Sequence, residues 1–300
     1  MTRWLNRYAK SSFSVKVLVS LIVFFVFLFI SSVLMAVVSL LFHSWADSVG
    51  LLRMQMFVQS LGLFVIPPFV IALLLSHNPL RFLQIDRAPS FMGVLGVFVC
   101  MMAAVPFMNW VIEWNEAMRL PEIFSGLEQW MKNNEELAQQ MTDQLLDMRS
   151  VGGLLSVLLI AGVLAGLGEE LTFRGVLQQL IADKCRNRHI AVWTAAFIFS
   201  AIHFQFYGFI PRLLLGAFFG YLLAGSGNLW LPVFAHFLNN SMTALISYFS
   251  EKNEDILKPY ETIGTVAGGS VWAAWVSLLQ FAVCCWLFRR YLFADGSKPA

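Results

Sequence analysis

Uncharged, strongly apolar stretches alternate with short polar ones along almost the whole chain. The runs cover residues 17–42, 54–75, 91–112, 150–168, 190–211, 213–249 and 262–288. About 20 apolar residues rising 1.5 Å each cross the hydrocarbon core of a bilayer, so each run suits a helical span. The run 213–249 is too long for one. It contains the turn cluster Gly225-Ser226-Gly227-Asn228 and then Pro232, which fits the first turn of a new helix. Split there, the pattern predicts about eight spans. Backbone groups in lipid must pair with one another, so the expectation is an all-α, polytopic transmembrane helical bundle.

Composition removes the soluble alternatives. The 300 residues are 58% apolar, 15% aromatic and 13% charged, with a mean hydropathy of +0.70. Soluble domains run at roughly 45–50% apolar and about 25% charged. A net charge of +2 is too small and too dispersed for a surface that tracks phosphates. Nucleic acid is thereby excluded as a partner, and the lipid bilayer takes its place. Arg3, Arg7, Lys10 and Lys16 precede the first run as they would in a leader, but residues 17–42 exceed the roughly 7–15 residues of a signal-peptide core. No small-x-small site closes the run, so it is expected to be the first span. Cys100, Cys185, Cys284 and Cys285 show no CxxC spacing and support neither a disulfide framework nor a cysteine-based zinc site.

Eight spans put both termini on one side. Loops on that side carry 13 of the 20 Lys and Arg residues, so by the positive-inside rule both termini are expected to be cytoplasmic. Acidic residues gather opposite, in 113–147 and 251–261. Within the longest polar segment, 113–149, the apolar residues Leu127, Trp130, Met131, Leu137, Met141, Leu145 and Met148 recur at helical spacing among Glu135, Glu136, Asp143 and Asp147. This is an amphipathic helix that either lies on the outer membrane surface or caps the bundle. The chain thus divides into an N-terminal part (1–149), a core (150–250), and a last loop, span and tail (251–300).

Ionisable groups inside apolar spans carry the chemical information, because charge at depth is costly. His43, His77 and His189 fall in loops, whereas His203 and His236 lie within spans. Glu169 and Glu170 abut the apolar body of a span, and Leu171 to Ala182 is uncharged except for Arg174, so the helix can continue past them. Glu170 and Arg174 are four apart in the favourable order for a helical ion pair. Glu169 points about 100° away and lacks that cation. One glutamate therefore reads as structural and the other as free, which is how a general base is poised in poorly solvated surroundings. Phe199 and His203 are four apart on the next span, and His236 and Asn240 are four apart on the seventh. Each set alone has a plain reading: a solvated ion pair, a histidine bonding a neighbouring backbone, polar glue between helices, or simple packing for Phe199. Matched sets on three helices argue instead that they face one another.

Glu169-Glu170-x-x-x-Arg174, Phe199-x-x-x-His203 and His236-x-x-x-Asn240, in that order, resemble the three signature motifs of the CAAX protease and bacteriocin-processing (CPBP) intramembrane proteases. That family includes type II CAAX prenyl endopeptidases and lysostaphin-resistance-like bacterial proteins. The resemblance covers roughly residues 150–250 and implies peptide-bond hydrolysis within the membrane. It implies Glu169 as the base that activates water, His203 as a group that helps hold or deprotonate it, and His236 and Asn240 as donors to the developing oxyanion. Glu170, Arg174 and Phe199 would support them. A CAAX-like peptide, lipidated protein or membrane-anchored leader is the implied substrate, and a bacterial inner (cell) membrane the implied location. The glutamate-base reading needs no cofactor. Its alternative is Zn2+ held by Glu169, His203 and His236. The rival from another class is a scaffold, immunity factor or transporter that uses the same cluster for binding, although no internal repeat favours a transporter.

Overall fold

The computed structural model describes residues 6–42, 44, 48–250, 259–260 and 262–292, and these contain helices and turns but no strand. The acidic residues at 251–258, the tail at 293–300, Arg3 and His43 lie outside the described residues. The helices are α1 (Phe13–Phe42), α2 (Val49–Leu75), α3 (Phe91–Glu116), α4 (Ser125–Leu146), α5 (Val151–Cys185), α6 (Arg188–Ala201), α7 (Phe209–Ser226), α8 (Trp230–Ser250) and α9 (Val271–Leu292). Among the described residues six helices are long and apolar enough to cross a membrane: α1, α2, α3, α5, α7 with the turn before it, and α9. The chain is an integral membrane protein.

Several boundaries follow from local chemistry. The expected break inside 213–249 is present: α7 ends at Ser226, Gly227 takes the left-handed conformation at φ +62°, and Pro232 sits in the first turn of α8. The run 190–211 is not one helix. It stops at Ala201 after 14 residues, about 21 Å, and Phe204 then turns back at φ +54°. The uncharged residues that follow include His203, Gln205, Gly208 and Pro211, which extend the hydropathy run without extending the helix. The last run also starts late, since residues 262–270 form turns before α9 begins at Val271. In the other direction, α5 runs unbroken from 151 to 185, well past the two glutamates.

Three apolar clusters hold these helices around α5 and α8. Ile71, Leu75, Leu171, Val176, Leu180, Leu223 and Leu229 join α2, α5 and α7. Val97, Cys100, Phe219, Leu222, Leu231, Ala235 and Leu292 join α3, α7, α8 and α9. Leu145, Met148, Leu154, Val157, Ala244 and Tyr248 tie the end of α4 to α5 and α8. By contrast α1 buries only Ser20 and Ser31 and turns most of its apolar side chains outward.

The amphipathic helix α4 lies over the break between α6 and α7. Trp130 packs against Phe204 and Phe206 with centroids 6.4 and 5.5 Å apart, and the Tyr207 N–H donates to Glu135 Oε2 at 3.3 Å. These contacts cap the bundle. Leu127, Leu137 and Met141 of the same helix remain exposed.

Candidate active site

Two stretches of α5, Leu158–Ala165 and Leu171–Gln178, wind as π-helix, and the short α-helical piece Gly166–Glu170 between them carries both glutamates. Such stretches cluster at functional positions because they re-aim side chains and backbone carbonyls. A third, Ser60–Val65 of α2, faces the same level. Polar side chains reach carbonyls within these stretches: the Thr172 hydroxyl donates to Phe64 O at 3.2 Å, and Asn240 Nδ2 donates to Ala161 O at 2.8 Å. Close approach depends on glycine. A Cβ on Gly166 would stand 3.3 Å from the backbone nitrogen of Phe237, so α5 meets α8 nearly backbone to backbone beside His236.

The Glu170–Arg174 pair forms as the spacing predicts, with Arg174 Nη1 donating to Glu170 Oε1 at 2.7 Å and both side chains fully buried. Arg174 Nη2 donates to Gly216 O at 2.8 Å. The guanidinium also lies 4.7 Å from the Phe199 ring centroid and 5.6 Å from that of Phe219. His236 Nδ1 is 2.8 Å from the same Glu170 oxygen. An ionised carboxylate only accepts, so Nδ1 carries the proton and Nε2 is turned the other way. Nε2 faces Glu169 Oε2 at 3.7 Å. Glu170 thus orients His236, and His236 presents its second nitrogen to Glu169. Glu169 keeps 18% of its side chain exposed whereas Glu170 keeps none, so the accessible carboxylate is the one that has no Lys or Arg ion-pair partner among the described residues.

Phe199 and His203 join this group from α6. His203 lies just beyond the helix end, and its Nδ1 is 2.7 Å from the Phe199 carbonyl oxygen. The last carbonyls of a helix lack intrahelical donors, and a histidine four residues on supplies one. A carbonyl cannot donate, so His203 Nδ1 is protonated, and in the neutral ring the lone pair is then on Nε2. The Phe199 ring meets His203 edge-on at 5.0 Å and His236 at 6.0 Å, and it stacks edge-to-face with Phe173. Taken alone Phe199 reads as packing, and the resemblance implies a supporting role. It is the apolar wall shared by Arg174, His203 and His236.

The helix ends are staggered by enough to bring these residues level. Glu170 is about 22 Å from the Cys185 end of α5, whereas His236 is about 9 Å from the Trp230 end of α8. Their hydrogen bond means that α5 projects roughly 13 Å beyond the start of α8. A helix of 35 residues, about 52 Å long, exceeds the roughly 30 Å hydrocarbon core and accommodates that offset.

One neighbouring cation, Arg212, separates the apolar runs 190–211 and 213–249, a position that hydropathy alone gives to a connection. It sits in the first turn of α7, close enough to Glu169 and Glu135 to feel their charge. Its guanidinium donates to the Gln205 side chain at 2.9 Å and rests over Gly208, where a Cβ would lie 3.2 Å from Nη2. A lone arginine inside residues 190–249 was the signal that could have revealed it.

A metal does not fit this donor set. Among the described residues no three His, Cys, Asp or Glu side chains converge to hold an ion, so the alternative set Glu169, His203 and His236 is not assembled as ligands.

Fold and site together define a polytopic helical membrane protein with a buried carboxylate–arginine–histidine centre. Residues 151–242 match the family described as type II CAAX prenyl endopeptidase, Rce1-like, which bears out the resemblance carried by the three motifs. The chain is also 33% identical over 97 residues to YpbD of Bacillus subtilis (strain 168), itself described as uncharacterized. That match covers 31% of this chain and 47% of the relative, so the chain spans about half of that protein's length. No solved structure matches.

Proposed function

We propose that the protein is an intramembrane endopeptidase that hydrolyses a peptide bond of a membrane-associated substrate with water activated by Glu169. The observation that carries this reading is His236, fixed by Glu170 on one nitrogen and aimed at Glu169 with the other inside an apolar bundle. The match of residues 151–242 to an endopeptidase family supports the same reading.

In this mechanism His236 acts as the imidazolium, donating to Glu170 through Nδ1 and holding Nε2–H toward Glu169. On this reading Glu169 takes a proton from water as the water oxygen attacks the scissile carbonyl carbon. The protonated Nε2 of His236 donates to the resulting oxyanion. Asn240 can add a second donor, since one amide hydrogen remains beyond the bond to Ala161 O. A single such donor contributes roughly 2.7–4 kcal/mol in well-studied sites. His203 Nε2, with its lone pair free, holds the same water. The carbon–nitrogen bond then breaks and the proton held by Glu169 passes to the leaving amine. Glu170 and Arg174 act through His236 as positioning residues. The substrate class is a CAAX-like, lipidated or leader peptide anchored in the membrane, and the setting is a bacterial cell membrane with both termini cytoplasmic, as the excess of Lys and Arg on that side argues.

The test is cleavage by the full chain in proteoliposomes. An S-farnesylated peptide ending in a CAAX-like tetrapeptide and a bilayer-anchored leader peptide serve as probes, with products read by mass spectrometry. Cleavage of either that persists in chelator supports the reading. Cleavage of neither contradicts it, and cleavage lost only with chelator removes the metal-free mechanism.

A further inference from the structure

The first turn of α1 and the last turns of α5 line an open cavity of about 350 Å³, whose α5 residues begin ten positions past Glu170. It is lined by Phe13, Lys16, Leu180, Asp183, Lys184 and Arg186. Three of these carry positive charge and one negative. Among the described residues no carboxylate lies within ion-pairing distance of Lys16, Lys184 or Arg186, so their charge is not spent on one another's neighbours. Lys184 Nζ lies over the ring of Phe13, 5.9 Å from its centroid, so both the cation and the ring that it faces line the cavity. Arg186 adopts a left-handed conformation at φ +51° just past the helix end, a position that non-glycine residues seldom take, and turns the chain there.

The apolar part of the site is as telling as the charged part. Leu180 is buried and Phe13 half-buried, and both belong to helices long enough to span a membrane. Below them α1 presents Leu18, Leu21, Ile22 and Phe25 outward. A ligand that suits this arrangement has an anionic head and an apolar body running down α1. Basic pockets between transmembrane helices recognise lipid headgroups in this way.

We propose that this cavity is a binding site for the phosphate of an anionic membrane phospholipid, bridging Lys16 of α1 to Lys184 of α5 and to Arg186 just past its end. The ligand has a structural consequence. Because α1 buries almost none of its own side chains, a phosphate shared with α5 ties it to the helix that carries the glutamates. The site does not depend on the protease reading.

The test uses the full chain in nanodiscs of phosphatidylcholine with and without phosphatidylglycerol, with thermal unfolding and native mass spectrometry as readouts. Phosphatidylglycerol is expected to raise the unfolding temperature and to remain bound in wild type. The double variant Lys184→Glu/Arg186→Glu is expected to bind it at least about tenfold more weakly. Asp183→Asn, which removes the one opposing charge, is expected to bind it roughly fivefold more tightly, a gain that misfolding cannot produce. Equal stabilisation by both lipids, or unchanged binding in the charge-reversed and Asp183→Asn variants, overturns the proposal. Inorganic phosphate added to phosphatidylcholine discs is the control for source, and full stabilisation by it alone overturns the assignment to a lipid.

Discussion

Arg174→Met removes a guanidinium with no exposed surface and leaves the Glu170 carboxylate uncompensated in the bundle. Arg174 donates to Glu170 Oε1 at 2.7 Å and to Gly216 O at 2.8 Å, and it packs between Phe199 and Phe219. Removing one member of a buried pair costs roughly 3–5 kcal/mol, mostly from the charge left behind. Methionine restores much of the volume, so the loss is electrostatic rather than a cavity effect. The double variant Arg174→Met/Glu170→Gln removes both charges while the amide oxygen still accepts from His236 Nδ1. It is therefore expected to recover about 2 kcal/mol or more of the loss. Unfolding in mixed micelles of rising SDS content, followed by tryptophan fluorescence, measures both. A single variant that costs less than about 1 kcal/mol, or a double variant no more stable than the single, refutes the assignment of Glu170 as the charge that Arg174 neutralises.

Other consequences are local. Gly216→Ala places a Cβ 3.2 Å from Arg174 Nη2 and 3.3 Å from the Phe199 ring, so it should displace the guanidinium and lower any turnover with little change in helix content by circular dichroism. Cys100 and Cys285 lie 3.8 Å apart across α3 and α9. A membrane-permeant oxidant is expected to cross-link them in wild type and not in Cys100→Ala, as read by mass spectrometry of the intact chain. Trp130→Ala removes the ring that packs α4 onto Phe204 and Phe206, and amide hydrogen exchange across 203–208 should rise while that of α5 stays the same.

How much of this was legible in the sequence depends on the range of each interaction. The Glu170–Arg174 pair is separated by four residues on one helix, so spacing alone found it. The turn at Gly227 and the start of α8 were equally local. The partner chosen by His236 was not. Spacing left Glu169 free and the resemblance implied His236 as an oxyanion donor, but neither indicated that Glu170 takes Nδ1. Which carboxylate faces another helix depends on rotation about α5, and the π-helical stretches on either side of the glutamates shift that rotation away from 100° per residue. Hydropathy also cannot tell a helix from an apolar turn. It carried α6 through residues 202–211, where the chain turns back and puts His203 on a broken end beneath α4. Arg212 was hidden by the same error, because a charge at the edge of a supposed span looks like a loop residue.

Glu169→Gln tests the central claim most directly. The substitution keeps size and hydrogen bonding, leaves the Arg174–Glu170–His236 chain intact, and removes only the group assigned to take the proton from water. Cleavage of the anchored peptide probes in proteoliposomes is expected to fall at least about 100-fold, with the unfolding transition unchanged. Wild-type cleavage rates in a folded Glu169→Gln protein would contradict the account.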